Sequence, residues 1–327
     1  MTTTTAVTFI QRRCPVCCAE EHRTLFEITV HDFSTVNPTY RIDQLERMGI
    51  AGDHSCPIAC CEQCGFVYSK DCLDDRSLSF LYEHVIDHEK SLAKIHGREK
   101  RKRLLAVWAR LFELATEHRD RCDLDVFDFG CGWGDFLSVA RSQCINVCGL
   151  EADRVKVDWA AGQGLNIVST LQEVEALAPF DVVYCDQVLE HLDTPAETVR
   201  FLFGILKPGG VVFVGVPCCP KVEMDAVAAQ LRLGRQVSKD INPWEHLNYF
   251  SPDSLVRLMQ TTGFEVLNLK TDQSRLSWLS GFRKQQTAGS PDSRLASSTD
   301  LFCRKPPGHD AQSRRSGQAD EFPEEPG

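Results

Sequence analysis

Three alternating glycines follow a short apolar run and form the most informative stretch of the chain. Gly130, Gly132 and Gly134 come directly after residues 125–129, whose composition predicts a buried strand, and a helical pattern covers 135–142. Glycine lets the backbone approach a ligand closely, and the free N–H groups at a helix start can hold the polar end of that ligand. The spacing therefore predicts a strand, a tight turn and a helix that together bind a cofactor.

An acidic residue at the end of the next predicted strand is placed to bind a ribose. Glu151 follows residues 146–150, and a carboxylate at that position can accept hydrogen bonds from both ribose hydroxyls. Dinucleotide-binding proteins use an acidic residue in the same place, so Glu151 alone does not identify the nucleoside. Their glycine fingerprint, however, needs a glycine at position 135, where this chain has Asp135.

Two cysteine pairs near the N-terminus have the spacing of zinc ligands. Each pair, Cys14-Pro-Val-Cys17 and Cys61-Glu-Gln-Cys64, resembles a knuckle in which a tight turn brings two thiolates to one tetrahedral ion. The stretch between the pairs is longer than in the usual zinc ribbon, and Cys60 could replace Cys61 as a ligand. The pattern predicts a structural zinc held by four cysteines, and a small reduced domain with buried thiols remains the alternative.

The elements that must position these residues alternate between strands and helices. This alternation predicts a parallel sheet with crossover helices, closed by a last antiparallel strand. A helical pattern from 74 to about 118 precedes the sheet, and its second half is expected to pack beside the first strand. The predicted strands are 125–129, 146–150, 166–168, 182–185, 211–216, 263–269 and 298–304, and the predicted helices are 135–142, 152–161, 171–177, 196–206, 222–233 and 252–262.

Three further segments, read together with the glycine run, resemble the class I S-adenosylmethionine (SAM)-dependent methyltransferases. They are Phe180 to Leu192, the turn Leu206 to Gly210, and Glu245 to Phe250, and the resemblance covers roughly residues 98–270. The two cysteine pairs resemble the zinc-binding leader of one subgroup of these enzymes. Some members of that subgroup act on nucleotide-linked sugars or small metabolites.

The resemblance implies an α/β fold with SAM as cofactor. We expect a seven-stranded, doubly wound, mostly parallel sheet of the class I methyltransferase type with a small N-terminal zinc-ribbon-like module. The implied domains are a zinc module over 1–73, a helical linker over 74–97, the methyltransferase domain over 98–304 and a disordered tail over 305–327. The implied cofactor-binding residues are Asp128, Gly130, Cys131, Gly132, Gly134, Glu151, Ala152, Leu171, Asp186 and Gln187, with Gln172 near the adenine.

Two histidines are the candidate bases for an acceptor that must lose a proton. Methyl transfer from SAM is an in-line displacement, so the protein positions the acceptor and, for a hydroxyl, removes its proton. His191 and His246 titrate near neutrality when unperturbed, and each could instead hold its own loop by hydrogen bonds. Metal-assisted O-methylation through Glu190 and His191 is a further possibility.

The sequence favours a small-molecule acceptor, such as a sugar or a natural-product intermediate, methylated on oxygen or carbon. The net charge of −10 argues against nucleic acid, and no (Asn or Asp)-Pro-Pro-(Tyr or Phe) signature of N-methylation follows the fourth strand. Sugar C-methyltransferases of the zinc-leader type carry a further C-terminal domain, and this sequence ends too soon for one. An RNA methyltransferase with a zinc module and a non-catalytic SAM-binding scaffold remain the alternatives.

Composition is that of a globular protein, 43% apolar and 25% charged, and no apolar run approaches the roughly 20 residues that span a bilayer. Residues 1–7 lack the basic start and apolar core of a secretory signal. Sixteen cysteines in such a chain suggest metal binding before disulfides. We therefore expect a cytoplasmic protein, with its oligomeric state open.

Overall fold

The computed structural model describes residues 8–29, 49–50, 54–74, 76–78, 88–93, 97–117, 123–143, 146–219, 221–233, 241–267 and 298–308. The strands within them are β1 (Phe9–Gln11), β2 (His22–Thr29), β3 (Ser55–Cys61), β4 (Val67–Ser69), β5 (Asp71–Leu73), β6 (Asp125–Phe129), β7 (Asn146–Leu150), β8 (Ile167–Val168), β9 (Phe180–Asp186), β10 (Leu206–Pro217), β11 (Asn248–Tyr249), β12 (Glu265–Val266) and β13 (Ser298–Arg304). The longer helices are α1 (His88–Ala93), α2 (Arg98–Thr116), α3 (Asp135–Arg141), α4 (Arg154–Gly162), α5 (Leu171–Leu177), α6 (Pro195–Ile205), α7 (Lys221–Arg232) and α8 (Pro252–Thr262).

Seven strands form one sheet in the order β12-β13-β10-β9-β6-β7-β8. The strands from β10 to β8 are parallel, and β13 runs antiparallel between β10 and β12. This is the predicted fold, and the bounds predicted for β6, β7 and β13 agree with those observed. The carboxyl ends of β6, β7 and β9 lie side by side, so the loops that follow them meet at one edge of the sheet.

Both faces of this sheet are covered because successive side chains of each strand point to opposite sides. Val126 of β6 packs with the buried row of α2 and with α3, whereas its neighbour Phe127 packs towards α6 and α8. Trp108 of α2 is buried, and its ring centroid lies 5.9 Å from that of Phe136. Trp108 is therefore part of the core between α2, α3 and the sheet.

A second, four-stranded sheet has the order β11-β4-β3-β2, and we call it the N-terminal sheet. Three of its strands come from residues 22–69, but β11 comes from beyond residue 245, where Asn248 pairs with Tyr68 and Tyr249 pairs with Val67. Helix α7 packs on the same sheet, with Met224 in one apolar cluster with Phe26. Segments from residues 22–69 and from residues 221–249 therefore build this sheet and its helix.

Several sequence-based boundaries differ from the structure or lie outside the residues it describes. Gly263 ends α8 with a φ of 106°, so the described part of the sixth strand is only Glu265–Val266. Lys305, which the sequence placed in the tail, is buried and donates to the carbonyl of Leu206 at 2.8 Å. Residues 79–87 of the predicted linker helix and residues 309–327 of the predicted tail lie outside the described residues. Within those the structure does describe, no helix has the length and apolarity needed to cross a membrane.

Candidate cofactor site, histidine cluster and cysteine cluster

The glycine loop (residues 130–134) turns sharply between β6 and α3. Gly130, Gly132 and Gly134 all have positive φ, at 74°, 55° and 78°. The N–H groups of Gly130 and Cys131 both donate to the carbonyl of Leu150 at 2.9 Å, which ties the loop to the end of β7. A Cβ on Gly130 would lie 2.6 Å from Cγ2 of Val188, so the loop after β9 contacts the glycine loop directly, whereas a Cβ on Gly132 would meet nothing within 4 Å. The loop is therefore packed on one side and open at Gly132.

Glu151 is held against this loop by backbone donors. One carboxylate oxygen accepts from the N–H of Gly132 at 2.9 Å, and the other accepts from Ala152 and Asp153 at 3.0 and 2.9 Å. The structure thus brings Glu151 to the glycine loop, and the N–H of Ala152 holds the same carboxylate. The carboxylate is fixed beside the open position at Gly132.

Asp128 lies behind the loop, with 2% of its surface exposed. Burial, followed by the charges of Asp186 and Glu151, raises the pKa of Asp128 well above its ordinary value. A carboxyl group in this position favours its neutral form, because the low-dielectric interior disfavours a charge. Asp128 is therefore a buried carboxyl group near the end of β6, just before the loop.

Asp186 ends β9 and forms an ion pair that sequence reasoning missed. Arg103 of α2 donates to its two carboxylate oxygens at 2.6 and 2.9 Å, and the hydroxyl of Tyr184 donates to it at 2.8 Å. Arg103 was not predicted as a site residue, because it follows a run of charged residues, 98–102, that are exposed. A signal was available, because Arg103 stands one and two helical turns before the buried residues Val107 and Leu111.

The two other predicted cofactor residues lie on neighbouring loops. Gln187 has a φ of 58°, which is unusual for a residue with a side chain, and its N–H donates to the carbonyl of Gly215 at 2.7 Å. Leu171 begins α5 after a capping box formed by Thr170 and Glu173, and 43% of its surface is exposed. Leu171 is therefore an exposed apolar side chain on the loop that follows β8.

Glu190, His191 and His246, which we call the histidine cluster, meet beside the loop after β9. Each offers one ligand atom, and these atoms lie within 4.8 Å of one another. The Nδ1 of His191 lies 2.9 Å from the carbonyl of Glu245, which can only accept, so Nδ1 carries the proton and Nε2 presents a lone pair. Burial, then the neighbouring His246, lowers the pKa of His191 and favours the neutral ring, although 26% of the side chain remains exposed. The arrangement can accept a proton or ligate a cation.

Cys14, Cys17, Cys61 and Cys64, which we call the cysteine cluster, bring their sulfur atoms within 4.8 Å of one another. The Cys14–Cys64 and Cys17–Cys61 sulfur pairs are both 3.5 Å apart. Four sulfurs at about 2.3 Å from a tetrahedral zinc ion lie about 3.8 Å from each other, so the geometry fits that ion. Cys60 is excluded as a replacement ligand, because its sulfur points to the carbonyls of Cys61 and Gly65.

The protonation of these thiols also fits a cation site. The hydrogen bond with Cys64, together with burial, raises the pKa of Cys14, and burial raises the pKa of Cys17 to about 11. Thiols this hard to ionise become thiolates when a bound cation supplies compensating charge. Within the described residues, the structure contains no disulfide bond.

Comparisons with known proteins agree with this geometry. A family model described as a methyltransferase domain matches residues 95–269. The ubiquinone biosynthesis O-methyltransferase of Neisseria meningitidis serogroup A is 31% identical over 165 residues, which cover 47% of this chain and 68% of that protein. The enzyme of the same name from Rickettsia bellii is 26% identical over 167 residues, which cover 48% of this chain and 68% of that protein.

Solved structures with similar folds include two methyltransferases. A magnesium protoporphyrin IX methyltransferase from Synechocystis is 13% identical, with 69% of this chain and 97% of that chain covered and a TM-score of 0.47. A SAM-dependent methyltransferase from Archaeoglobus fulgidus is 14% identical, with 66% and 99% covered and a TM-score of 0.42. The family assignment rests on the sequence matches. Because the family model spans more than half of the chain and includes both the glycine loop and the histidine cluster, the chain belongs to the SAM-dependent class I methyltransferases.

Proposed function

We propose that this methyltransferase transfers the methyl group of SAM to a hydroxyl oxygen of a small-molecule acceptor. The observation that carries the proposal is the hydrogen bond from Nδ1 of His191 to the carbonyl of Glu245, which leaves Nε2 as the nitrogen with the lone pair. His191 lies beside His246 and in the same loop as Val188, which contacts the glycine loop. The O-methyltransferase names of the relatives support a hydroxyl acceptor. The net charge of −10 and the absence of the N-methylation signature favour this class over RNA or amide acceptors.

His191 is our first candidate for the general base. A hydroxyl becomes a good nucleophile when its proton leaves as the methyl group arrives, and a positioned imidazole typically contributes 10²–10⁴-fold to such a step. The carbonyl of Glu245 fixes the tautomer of His191, so that Nε2 is ready to accept the proton. His246 packs edge-on against this ring, with 4.8 Å between centroids, and is the second candidate.

The cofactor-side roles follow from the charges at the glycine loop. In our proposal the carboxylate of Glu151 accepts from the ribose hydroxyls, and Leu171 offers apolar surface to the adenine. Arg103, fixed by Asp186, supplies the positive charge that the methionine carboxylate needs. In this proposal SAM approaches the backbone most closely at Gly132, because a Cβ at that position would meet nothing within 4 Å.

We also propose that the cysteine cluster holds one structural zinc ion. Four protein ligands close the coordination shell, which is typical of structural rather than catalytic zinc. Paired cysteines that bind a metal are typical of a reducing compartment, and on that ground we propose a cytoplasmic location.

The proposed reaction is tested with SAM that carries a radiolabelled methyl group. Purified protein and labelled SAM are incubated with a cell extract that is afterwards separated into metabolites, RNA and protein. We expect label in the metabolite fraction, in a product whose new methyl group resists demethylation under conditions that cleave esters, as an ether does. Label in RNA would overturn the proposal.

The general base is tested with the variants His191→Asn and His246→Asn. Glu175→Gln, a change at an exposed residue, is the control for both. We expect the variant that lacks the base to lose about 10²–10⁴-fold in kcat while its Kd for SAM stays within twofold of wild type. Equal activity of both histidine variants and the control would remove the histidine cluster from proton transfer.

A second candidate mechanism uses a divalent cation on the same cluster. Glu190, His191 and His246 together offer a carboxylate and two imidazoles, a ligand set that several divalent metals accept. The two mechanisms are separated by assaying enzyme that retains its zinc, with and without added Mg²⁺ or Mn²⁺. A strict requirement for the added ion favours the metal, and full activity without it favours the free base.

A further inference from the structure

Arg12 is a buried cation that joins three distant segments of the chain. Only 7% of its surface is exposed. Its guanidinium donates to the carbonyls of Asp193, Leu247 and Ser69, at 2.9, 3.1 and 3.3 Å, and to the side-chain oxygen of Asn248 at 2.9 Å. Burying a guanidinium is costly unless its donors are paired, so these acceptors must stay in place for Arg12 to remain where it is.

Asn248 extends the contacts of Arg12 into the loop after β9. Its amide nitrogen donates to the carbonyls of Leu189 and Leu192, at 2.8 and 2.6 Å. The backbone N–H groups of Leu247 and Asn248 both donate to the carbonyl of Glu190, at 2.7 and 3.1 Å. Arg12 and Asn248 therefore fix residues 189–193 from both ends, and this segment carries Glu190 and His191.

The backbone of Arg12 is held by Lys70, and the cysteine cluster begins two residues further along the chain. Its backbone N–H donates to the carbonyl of Lys70 at 2.8 Å, and the ammonium of Lys70 donates to the carbonyl of Arg12 at 2.6 Å. Two residues further on, Cys14 begins the first knuckle, which closes when Cys18 donates to the carbonyl of Cys14 at 2.9 Å. Arg12 directly follows β1, so its backbone is held by Lys70 and is followed at once by the first knuckle of the cluster.

We propose that Arg12 is a positioning residue for the histidine cluster, acting through Asn248 and the 189–193 loop. It does not touch the reacting atoms in this role. It fixes the loop so that His191 keeps its hydrogen bond to Glu245 and its orientation towards the acceptor. The proposal rests on the proposed function for the catalytic role of the histidines, but the position of their rings can be measured without any turnover.

The test compares Arg12→Gln with Arg13→Gln. Arg13 is the matched control, because it is the adjacent arginine and its side chain is 69% exposed. We expect Arg12→Gln to lower kcat by about 10- to 100-fold, the cost of misplacing a catalytic group by about 1 Å, with the Kd for SAM within twofold of wild type. Arg13→Gln should match wild type in both quantities.

A second measurement reports the rings directly. In protein labelled with ¹³C-histidine, the imidazole signals of His191 and His246, assigned with the two asparagine variants, should shift or broaden in Arg12→Gln and stay unchanged in Arg13→Gln. This signature separates positioning from general stability, because a merely structural role would leave both signals in place in the folded fraction. It also separates the two proposals, since it does not depend on the acceptor.

Asn248→Ala removes the other partner of the hydrogen bond between Arg12 and Asn248. It keeps the proposal testable if Arg12→Gln does not fold. We expect the same loss in kcat and the same ring signals to move, and the double variant should lose little more than either single variant. Unchanged histidine signals and unchanged kcat in a folded Arg12→Gln or Asn248→Ala protein would overturn the proposal. Losses that multiply in the double variant would also overturn it, because they would show that the two residues act independently.

Discussion

The cofactor side and the histidine side of this enzyme are assembled in opposite ways. At the cofactor side, Gly132 and the Glu151 carboxylate that it contacts are 19 positions apart along the chain. At the histidine side, Arg12 contacts Asp193 and Asn248 across 181 and 236 positions. The glycine loop and Glu151 thus come from one local stretch, whereas the histidine side forms only when the N-terminal segment meets segments far along the chain.

In our proposal, this difference separates the residues that bind SAM from those that position and activate the acceptor. The glycine loop needs only β6, β7 and α3, which are neighbours in sequence and in the sheet. The histidine cluster needs the N-terminal sheet, which includes β11, and the loop after β9. A disturbance of the N-terminal sheet should therefore impair acceptor turnover and leave SAM binding largely intact.

Removal of the proposed zinc ion should give the largest loss of acceptor turnover, and it tests whether SAM binding is independent of the N-terminal sheet. Cys61→Ser removes a buried ligand of the cysteine cluster, and Cys18→Ser is the matched control because Cys18 is exposed and outside the cluster. Metal analysis should find about one zinc per chain in wild type and in the control, and none in Cys61→Ser. Acceptor turnover should fall more than about 100-fold, because the support for Arg12 is lost.

The outcome for SAM decides how separate the two sides are. Calorimetry should give a Kd for SAM within about fivefold of wild type in folded Cys61→Ser protein. Complete loss of SAM binding together with zinc would mean that the cofactor side depends on the N-terminal sheet. A wild-type preparation that is fully folded and free of metal would exclude the structural zinc.

Glu151→Ala should produce the reverse pattern, with weaker SAM binding and an unchanged zinc content. Loss of a charged acceptor typically costs about 1.5–3 kcal/mol, so we expect the Kd for SAM to rise by roughly 10- to 100-fold. Glu175→Ala, on the exposed face of α5, is the control and should leave the Kd unchanged. An unchanged Kd in Glu151→Ala would take Glu151 out of the cofactor site.

Features that depend on neighbouring residues could be predicted from the sequence, whereas contacts between distant segments could not. The seven strands and the contacts of Glu151 with the glycine loop were predictable, because apolar periodicity and turn residues act over a few neighbouring positions. The roles of Arg12 and of β11 were not, because a buried arginine and a two-residue strand have no local pattern. Which four cysteines share a cluster was predictable from their spacing, but the choice of Cys61 over Cys60 required the direction of each side chain.

Asp128 and Arg103 show a subtler limit. The motif identified Asp128 as a cofactor residue, yet the structure buries it behind the loop, because the side chains of β6 alternate between the two faces of the sheet. Arg103 belongs to a basic run that looks like a solvated helix face, and only its register relative to Val107 and Leu111 turns it inward. Motif position and charge density alone therefore do not give the direction of a side chain.

An effect on folding stability rather than on binding is expected when a methyl group is added within the glycine loop. Gly130→Ala places a Cβ 2.6 Å from Val188, whose β-branched side chain has little freedom to move, and it also strains a φ of 74°. Gly132→Ala carries only the conformational cost, because nothing lies within 4 Å of its Cβ. In chemical denaturation we expect losses of about 2–4 kcal/mol and about 1–2 kcal/mol, respectively. Equal losses of stability in the two variants would show that Val188 moves aside freely. The glycine loop and the loop after β9 would then be less tightly packed together than the structure indicates.

The smallest expected effect concerns α1, which lies against the cofactor side. Nε2 of His88 lies 2.8 Å from a carboxylate oxygen of Asp153, and Ser91 accepts from the indole of Trp133 in the glycine loop at 3.1 Å. Burial alone would raise the pKa of Asp153, but the hydrogen bond from His88 and the charge of Lys156 outweigh it and lower the pKa below its ordinary value of 3.8. Asp153 therefore stabilises the folded state in its charged form.

The pH dependence of this contact follows from the direction of that shift. A carboxyl group with a lowered folded-state pKa contributes stability above its unfolded pKa and loses it as the pH falls through the folded value. Asp153→Asn keeps an oxygen that can cap α4, as Asp153 does for Val155, and removes only the charge. We expect the variant to be about 1 kcal/mol less stable at pH 7, with the difference vanishing as the pH falls below about 3.8. A stability difference between wild type and Asp153→Asn that stays constant from pH 7 to pH 3 would assign the contribution of Asp153 to its cap on α4 rather than to its charge. The charge of Asp153 would then not stabilise the contact between α1 and the glycine loop.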